Sequence, residues 1–373
     1  MPLIKTLAGQ FAKIKVMGIG GAGNNAINSM IEEDIIHGVD FIAVNTDSQA
    51  LLNSKAMVKL QIGEKLTKGL GAGGNPKIGE DAAQESQERI KELLEGTNLL
   101  FITGGMGGGT CTGAAPVIAQ IAKKELGILT IAVVTKPFLF EGARRLANAE
   151  EGISLLKDKV DTLIVIPNQK VMEVIDNQAT LLEAFKVADS ILNKGTRAIA
   201  DLITVPGLIN LDFADIKSIM SDAGSALMGV GEAEGENRVT AAVEAAINSP
   251  LIEVNIDGAR GVLINITGGP DLTMTEVETA AKAITARTSP DANIVFGYTI
   301  DSNLKGKMKI TVIATGFDTN TQRIYQNSTP TTNQSSLEIN QETIDKYLGN
   351  QEIPKGIDIN DEFDIPAFLR KVK

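Results

Sequence analysis

Gly104-Gly105-Met106-Gly107-Gly108-Gly109-Thr110-Cys111-Thr112-Gly113-Ala114-Ala115-Pro116 follows directly on an apolar run, Leu99–Thr103. Six glycines fall within ten residues, and each carries a backbone-entropy cost that an ordinary connection does not need. Backbone brought close to a ligand is what offsets such a cost. No Gly-Lys-Ser/Thr occurs in the stretch, so it is not a Walker-type loop. Its amides and the hydroxyls of Thr110 and Thr112 would have to hold a polyphosphate without a lysine, with a cation helping.

Two further glycine clusters belong to the same reading. Gly18-Ile19-Gly20-Gly21-Ala22-Gly23-Asn24-Asn25 ends the run Ile14–Ile19, and Gly18, Gly20 and Gly23 satisfy G-x-G-x-x-G between a strand and a helix. Alone, this pattern fits a tight turn or a dinucleotide fold equally, and Asp40 and Asp47 lie about where that fold places its ribose acid. A dinucleotide domain needs one glycine loop, however, not two. A third cluster, Gly69-Leu70-Gly71-Ala72-Gly73-Gly74-Asn75-Pro76, again suggests backbone beside a ligand. Together the three loops point to a nucleoside di- or triphosphate.

Their setting is an alternation of elements. Ile14–Ile19, Val39–Asn45, Leu99–Thr103, Ile128–Thr135 and Thr162–Ile166 read as strands. Helical patterns lie at Asn24–Glu33, Gly79–Leu94 and Ala115–Leu126. Such alternation predicts a parallel sheet with helices on both faces, binding its ligand beyond the carboxyl ends of the strands. Thr180 and Glu183 form a capping box ahead of a long helical pattern, Leu181 to Ile203, stopped by Pro206-Gly207. Beyond it, helices at Ala214–Met220, Arg238–Asn248 and Met274–Ala286 alternate with strands at Gly261–Thr267, Ala292–Ile300 and Met308–Thr315, a smaller α/β layer.

Composition narrows the chemistry. The 373 residues are 43% hydrophobic and 22% charged, which excludes global disorder, and the length suggests two domains. The net charge of −11 argues against nucleic acid or an anionic membrane surface. One Cys (Cys111) and one His (His37) exclude an intramolecular disulfide framework and multi-Cys zinc, and leave His37 alone to build any histidine-dependent site. Met1 to Lys15 has no apolar core of signal length, and no run approaches a membrane span, so the chain is expected to be cytoplasmic with no direct membrane insertion. Residues 319–336, rich in Thr, Asn, Gln and Ser, have linker composition.

The run Gly107-Gly108-Gly109-Thr110-x-Thr112-Gly113 resembles the tubulin signature. With Ala114-Ala115-Pro116, Thr135-Lys136-Pro137-Phe138 and Asn210-Leu211-Asp212-Phe213-Ala214-Asp215, the chain resembles the FtsZ family, the tubulin-like GTPases of bacterial cell division, from about Ile14 to Gly316 and again at Asp364–Lys371. The resemblance implies a tubulin-like, Rossmann-type parallel-sheet GTPase domain (13–179), preceded by an extension (1–12). A central helix (180–206) joins it to a smaller α/β domain (207–317). A linker (318–360) and a partner-binding peptide (361–373) follow.

It also implies GTP or GDP, with Mg2+ and K+ as the cations near the phosphates. The phosphates fall on Gly21, Ala22, Gly23, Asn24 and Asn25 and on Gly107, Gly108, Gly109, Thr110, Cys111, Thr112 and Gly113, with Gly20, Gly71, Ala72 and Gly73 also in the nucleotide-binding set. Glu141 and Arg145 match positions near the ribose and γ-phosphate, where local reading gives a surface i,i+4 ion pair. Asn168, Phe185 and Asp189 match the base site, a carboxylate bridging the two guanine N–H donors. Asp212, Asp215 and Asn210 match the segment that meets the nucleotide of the next subunit and polarises or places the attacking water. Locally, Asp212 and Asp215 read as a helix cap with an acid in the first turn. A head-to-tail contact of that kind gives an open filament. The tail, with Ile365, Phe368 and Leu369 at helical spacing, resembles the peptide that docks on membrane-tethering division proteins, and the resemblance places the protein at the mid-cell ring.

The family has Gly where this chain has Cys111. A position needing φ > 0 or lying against phosphate would be strained or crowded by the thiol; backbone angles that tolerate a side chain would let it merely fill space. Two other functions compete: a nicotinamide-dependent dehydrogenase on Gly18–Gly23, and a GTP-binding assembly module with little hydrolysis, slowed by Cys111.

Overall fold

The apolar runs become strands of one sheet. The computed structural model of the chain describes residues 12–32, 38–171, 180–204, 212–249, 258–301 and 304–317. Its strands are β1 (Ile14–Ile19), β2 (Val39–Asn45), β3 (Val58–Gln61), β4 (Leu99–Gly105), β5 (Leu129–Lys136), β6 (Thr162–Pro167), β7 (Gly224–Glu234), β8 (Gly261–Gly268), β9 (Asn293–Ile300) and β10 (Lys307–Thr315). They lie in the order β3-β2-β1-β4-β5-β6-β7-β10-β8-β9. From β3 to β7 every pairing is parallel; β10 runs antiparallel to both β7 and β8, and β9 is parallel to β8. β7 therefore bonds to β6 through Gly224–Ala226 and to β10 through the rest of its length.

The helices are α1 (Gly20–Glu32), α2 (Ser48–Leu52), α3 (Glu64–Thr67), α4 (Pro76–Glu85), α5 (Gln87–Leu94), α6 (Thr110–Gln120), α7 (Ala143–Lys157), α8 (Asn168–Val171), α9 (Leu181–Thr204), α10 (Phe213–Met220), α11 (Arg238–Ile247) and α12 (Met274–Thr285). Two buried layers flank the parallel strands, as their nearly continuous apolar sequence requires. On one face Val16, Phe101, Ile131 and Ile164 pack under Ile27 and Met30 of α1 and Leu192 and Ile199 of α9. On the other, Met17, Ile102 and Val134 pack under Ala82 of α4, Ile90 of α5, Ile118 of α6 and Leu156 of α7.

Several elements differ from the sequence reading. The single helix expected over Gly79–Leu94 is broken at Ser86, whose hydroxyl accepts a hydrogen bond from Gly63 N at 3.2 Å. The helix expected from Ala115 begins earlier, at Thr110, and ends in a π-helical turn, Ile121–Glu125. The capping box forms as read, with Glu183 N donating to Thr180 Oγ1 at 3.3 Å and Thr180 N to Glu183 Oε2 at 2.6 Å. The 24 residues of α9 span about 36 Å. Under the last strands, Arg238 clamps α11 to α12, with Nε and Nη2 on the Glu276 carboxylate at 2.7 and 2.9 Å and Nη1 on Asp271. Among the described residues no helix is long and apolar enough to cross a membrane. The linker, the tail peptide Asp364–Lys371 and Asn210 lie outside the described residues.

Candidate functional site

β1 is flanked by β2 on one side and β4 on the other, so the direction in which the strand order progresses reverses between β1 and β4. Open parallel sheets bind ligands in the crevice at such a point, outside the carboxyl ends. The two strands are in register there, Gly18 beside Thr103 and Ile19 beside Gly104. β1 runs straight into α1 at Gly20, and β4 leads through the short turn of residues 106–109 into α6 at Thr110. A side chain on Gly20 (φ +74°) would lie 3.4 Å from Cys111 N, so the two amino-terminal turns sit together. Two converging helix dipoles with free N–H groups favour phosphate.

The glycines divide into three groups. Some are needed because protein backbone is close. A Cβ on Gly23 would come within 2.5 Å of Thr103 O, one on Gly109 within 2.9 Å of Asn75 N, and one on Gly113 within 1.9 Å of Pro76 O. These hold α1 against β4 and α6 against the turn before α4. Gly21 and Gly108 are different. A Cβ there would meet no protein atom within 4 Å, and neither has a positive φ. Nothing among the described residues demands glycine at these two positions, which lie at the start of α1 and just before α6. Gly71 and Gly73 (φ +85° and +56°) need glycine for their backbone conformation, and Ala72 packs against Gly109.

The three loops are tied together. Thr46 and Thr110 hydroxyls are 2.7 Å apart, and Gly71 N donates to Thr46 O at 3.3 Å. The amides of Asn24 and Asn45 meet at 3.1 Å. Thr46 and Asn45 escaped the sequence reading; their only signal was a position at the end of a strand beside the glycine loops. Thr112 is buried, and its hydroxyl accepts from Gly107 N at 2.9 Å, holding the loop's curvature. Cys111 lies in the helical first turn of α6, buried, with Sγ directed at Gly104. Its burial pushes the thiol up to about 12. Of the two readings of the thiol, the structure has the one in which it fills core space, with the Cys111 backbone N toward Gly20.

The dehydrogenase reading fails on geometry. Asp40 is exposed at the amino end of β2, away from the crevice, and Asp47 caps α2 by accepting from Gln49 N at 2.8 Å and Ala50 N at 3.3 Å. The carboxylate expected on a ribose is therefore misplaced in one case and engaged in the other.

Around the rim, Glu141 accepts from Phe138 N at 2.9 Å and pairs with Arg145, the i,i+4 ion pair read locally. Asn168 opens α8 at the carboxyl end of β6, and its Oδ1 is buried without a hydrogen-bond partner. Asp189 lies on α9, where burial raises its carboxyl to about 6. Phe185 is on α9, but its side chain is outside the described set. Leu70, Leu139 and Phe140 on these loops are exposed. Among the described residues no three His, Cys, Asp or Glu side chains gather to hold a metal.

Asp212 and Asp215 are at the other end of the molecule. They form a capping box at α10, with Asp215 N donating to Asp212 Oδ1 at 2.8 Å, and both are exposed. Thr162, the first residue of β6, donates its hydroxyl to Met220 O at 2.6 Å, and Asn293, the first of β9, donates to Ser218 Oγ at 3.3 Å. α10 thus lies at the amino ends of the parallel strands, opposite the glycine loops. The structure does not bring these acids to the crevice of their own chain.

Residues 13–176 match the GTPase domain of the Tubulin/FtsZ family, and residues 224–318 the C-terminal domain of the FtsZ family. The chain belongs to the FtsZ family. It is 50% identical over 380 residues to the cell division protein FtsZ of Coxiella burnetii, covering 98% of this chain and 97% of that one. Among solved structures, the empty FtsZ dimer of M. jannaschii superposes with a TM-score of 0.79 at 50% identity, over 82% of this chain and 88% of the other. The GTPgS-bound protofilament of CetZ2 from Haloferax volcanii shares the fold, with a TM-score of 0.68 at 19% identity over 90% and 99% of the two chains.

Proposed function

We propose that this FtsZ-family chain binds and hydrolyses GTP, polymerises head-to-tail and scaffolds cell division, its active site being completed between subunits. The observation that carries this reading is polarity. Phosphate-type loops occupy the carboxyl ends of the strands, and the Asp212–Asp215 pair occupies the amino ends. Only stacking along the strand direction brings one subunit's acids to the next subunit's crevice. The exposed Leu70, Leu139 and Phe140 suit that contact.

In this arrangement Gly20–Asn25, Gly71–Gly73 and Gly107–Gly113 cradle the phosphates, Glu141 and Arg145 exchange their mutual pair for ribose and γ-phosphate, and Asn168, Phe185 and Asp189 hold guanine. Asp212 and Asp215 of the next subunit, with its Asn210, orient water. Water attacks the γ-phosphorus, the bond to the β–γ bridging oxygen breaks, GDP leaves with that electron pair, and the water proton passes to carboxylate or phosphate. The loops offer backbone and hydroxyl groups rather than carboxylates, so Mg2+ or K+ would be held chiefly by phosphate oxygens and water and would offset their charge. We place the protein at the mid-cell ring and assign Asp364–Lys371 to membrane-tethering division proteins.

Light scattering beside phosphate release on adding GTP tests the reading. Asp212→Ala is expected to bind GTP and lose hydrolysis; normal turnover would remove Asp212 from the site, and neither assembly nor release by folded wild type would sink the function.

A further inference from the structure

β9 ends the sheet: among the described residues it pairs with β8 on one side and with no strand on the other. Exposed sheet edges are normally short or guarded by Lys, Pro or a bulge. β3, at the opposite edge, follows that rule with four residues and Lys59 at its second position. β9 does not. Its eight residues, Asn293-Ile294-Val295-Phe296-Gly297-Tyr298-Thr299-Ile300, include no charge and no proline. They pair with β8 in unbroken register from Gly261↔Asn293 to Gly268↔Ile300, so no bulge turns the edge away. Ile294, Phe296 and Tyr298 are only partly buried against the core under α11 and α12, and Ile300 is 50% exposed.

The strand is complementary to itself. A two-fold axis normal to the sheet at Gly297 sets Ile294 opposite Ile300, Val295 opposite Thr299, Phe296 opposite Tyr298 and Asn293 opposite Asp301. Aliphatic, β-branched and aromatic cross-strand pairs of this kind stabilise antiparallel ladders, and no like charges face each other. Moving the axis to Phe296 would set Asp291 against Asp301, so charge selects the first register. A neutral strip also matters in a chain of net charge −11, because two copies repel least where neither carries charge.

We propose that β9 is a self-association edge, joining two copies of this chain by antiparallel strand pairing into one continuous sheet. The edge faces sideways from the strand direction. If copies also stack head-to-tail as proposed above, the same contact joins two filaments running in opposite senses; that extension rests on the head-to-tail reading, while the strand pairing does not.

The test is cross-linking of the full chain. In the double variant Ile294→Cys/Ile300→Cys, each new thiol faces its counterpart at about 5 Å between Cβ atoms, within disulfide reach. Either single variant places its two thiols roughly 20 Å apart along the ladder. Cys111 is buried and adds no background. Mild oxidation is expected to shift the double variant, and neither single variant, to a dimer on a non-reducing gel. No more dimer from the double than from the singles, in protein that still unfolds cooperatively, overturns the proposal. Ile300→Lys, at an exposed position, is expected to lose paired filaments in electron micrographs while phosphate release per molecule stays at the wild-type rate; undiminished pairing overturns the proposal equally. Cross-linked dimer in protein without GTP-dependent filaments would leave β9 pairing standing and reject the head-to-tail reading instead.

Discussion

Gly108→Ala separates a glycine kept for the protein from one kept for a ligand. A Cβ at Gly108 would meet nothing within 4 Å, and the backbone there is not left-handed. The fold has no reason to resist the methyl, so stability should change by no more than about 0.5 kcal/mol, or rise slightly through the unfolded chain. The methyl would instead stand where the phosphate is to approach the backbone. Losing one hydrogen bond to a charged oxygen costs about 1.5–3 kcal/mol, which is roughly 10- to 150-fold in affinity. Gly109→Ala is the control. Its Cβ would lie 2.7 Å from Ala72 Cβ and 2.9 Å from both Asn75 N and O, so it should destabilise the fold by about 1–3 kcal/mol, as overpacking does. Titration with a fluorescent GDP analogue and thermal unfolding without nucleotide read the two effects. Wild-type affinity in Gly108→Ala, or a loss of stability as large as that of Gly109→Ala, would show that Gly108 is not kept open for a ligand.

Three further outcomes are expected. Cys111→Gly should cost roughly 1–2 kcal/mol, from helix propensity and a void against Gly104, with nucleotide affinity and turnover per folded molecule preserved; a fall in affinity would return the thiol to the site. Burial holds Asp189 protonated below about pH 6, so in the absence of nucleotide the fold loses stability as pH rises from the ordinary carboxylate range toward 6, and GTP binding weakens below 6 because a neutral carboxyl cannot accept both guanine N–H groups. A pH-independent Kd between 5 and 7, or unchanged preference for GTP over ATP in Asp189→Asn, would contradict this. Hydrogen bonds from Arg238 hold the Glu276 carboxyl down at about 2, so the clamp's contribution is complete above about pH 4.5 and is lost as pH falls toward 2. Arg238→Ala should cost about 3 kcal/mol in denaturant unfolding and flatten that acid limb.

Much of this was legible in the residues. β1 and β2 fall where β-branched runs end in Gly or Asn, and the Thr180–Glu183 capping box marks the start of α9. β3 is too short to show a period. β7 contains Gly224, Gly229 and Gly231, and a Cβ at Gly231 would lie 2.0 Å from Ala242 O; packing of α11 requires a residue that weakens the strand signal. The glycine loops announced a ligand, yet not which glycines serve it: Gly109 and Gly113 serve helix packing, Gly21 and Gly108 do not, and only neighbours distant in sequence distinguish them. Asp212 and Asp215 were correctly read as a cap, and no local pattern could show that the cap sits at the far pole of the sheet.

On the proposed reading, that polarity makes turnover a property of contacts between subunits. The direct measurement is GTP hydrolysis per molecule as a function of protein concentration, followed beside light scattering. An active site completed between subunits requires a rate per molecule that is negligible at high dilution and rises together with assembly. A constant rate per molecule, persisting at concentrations where no filaments form, would contradict it.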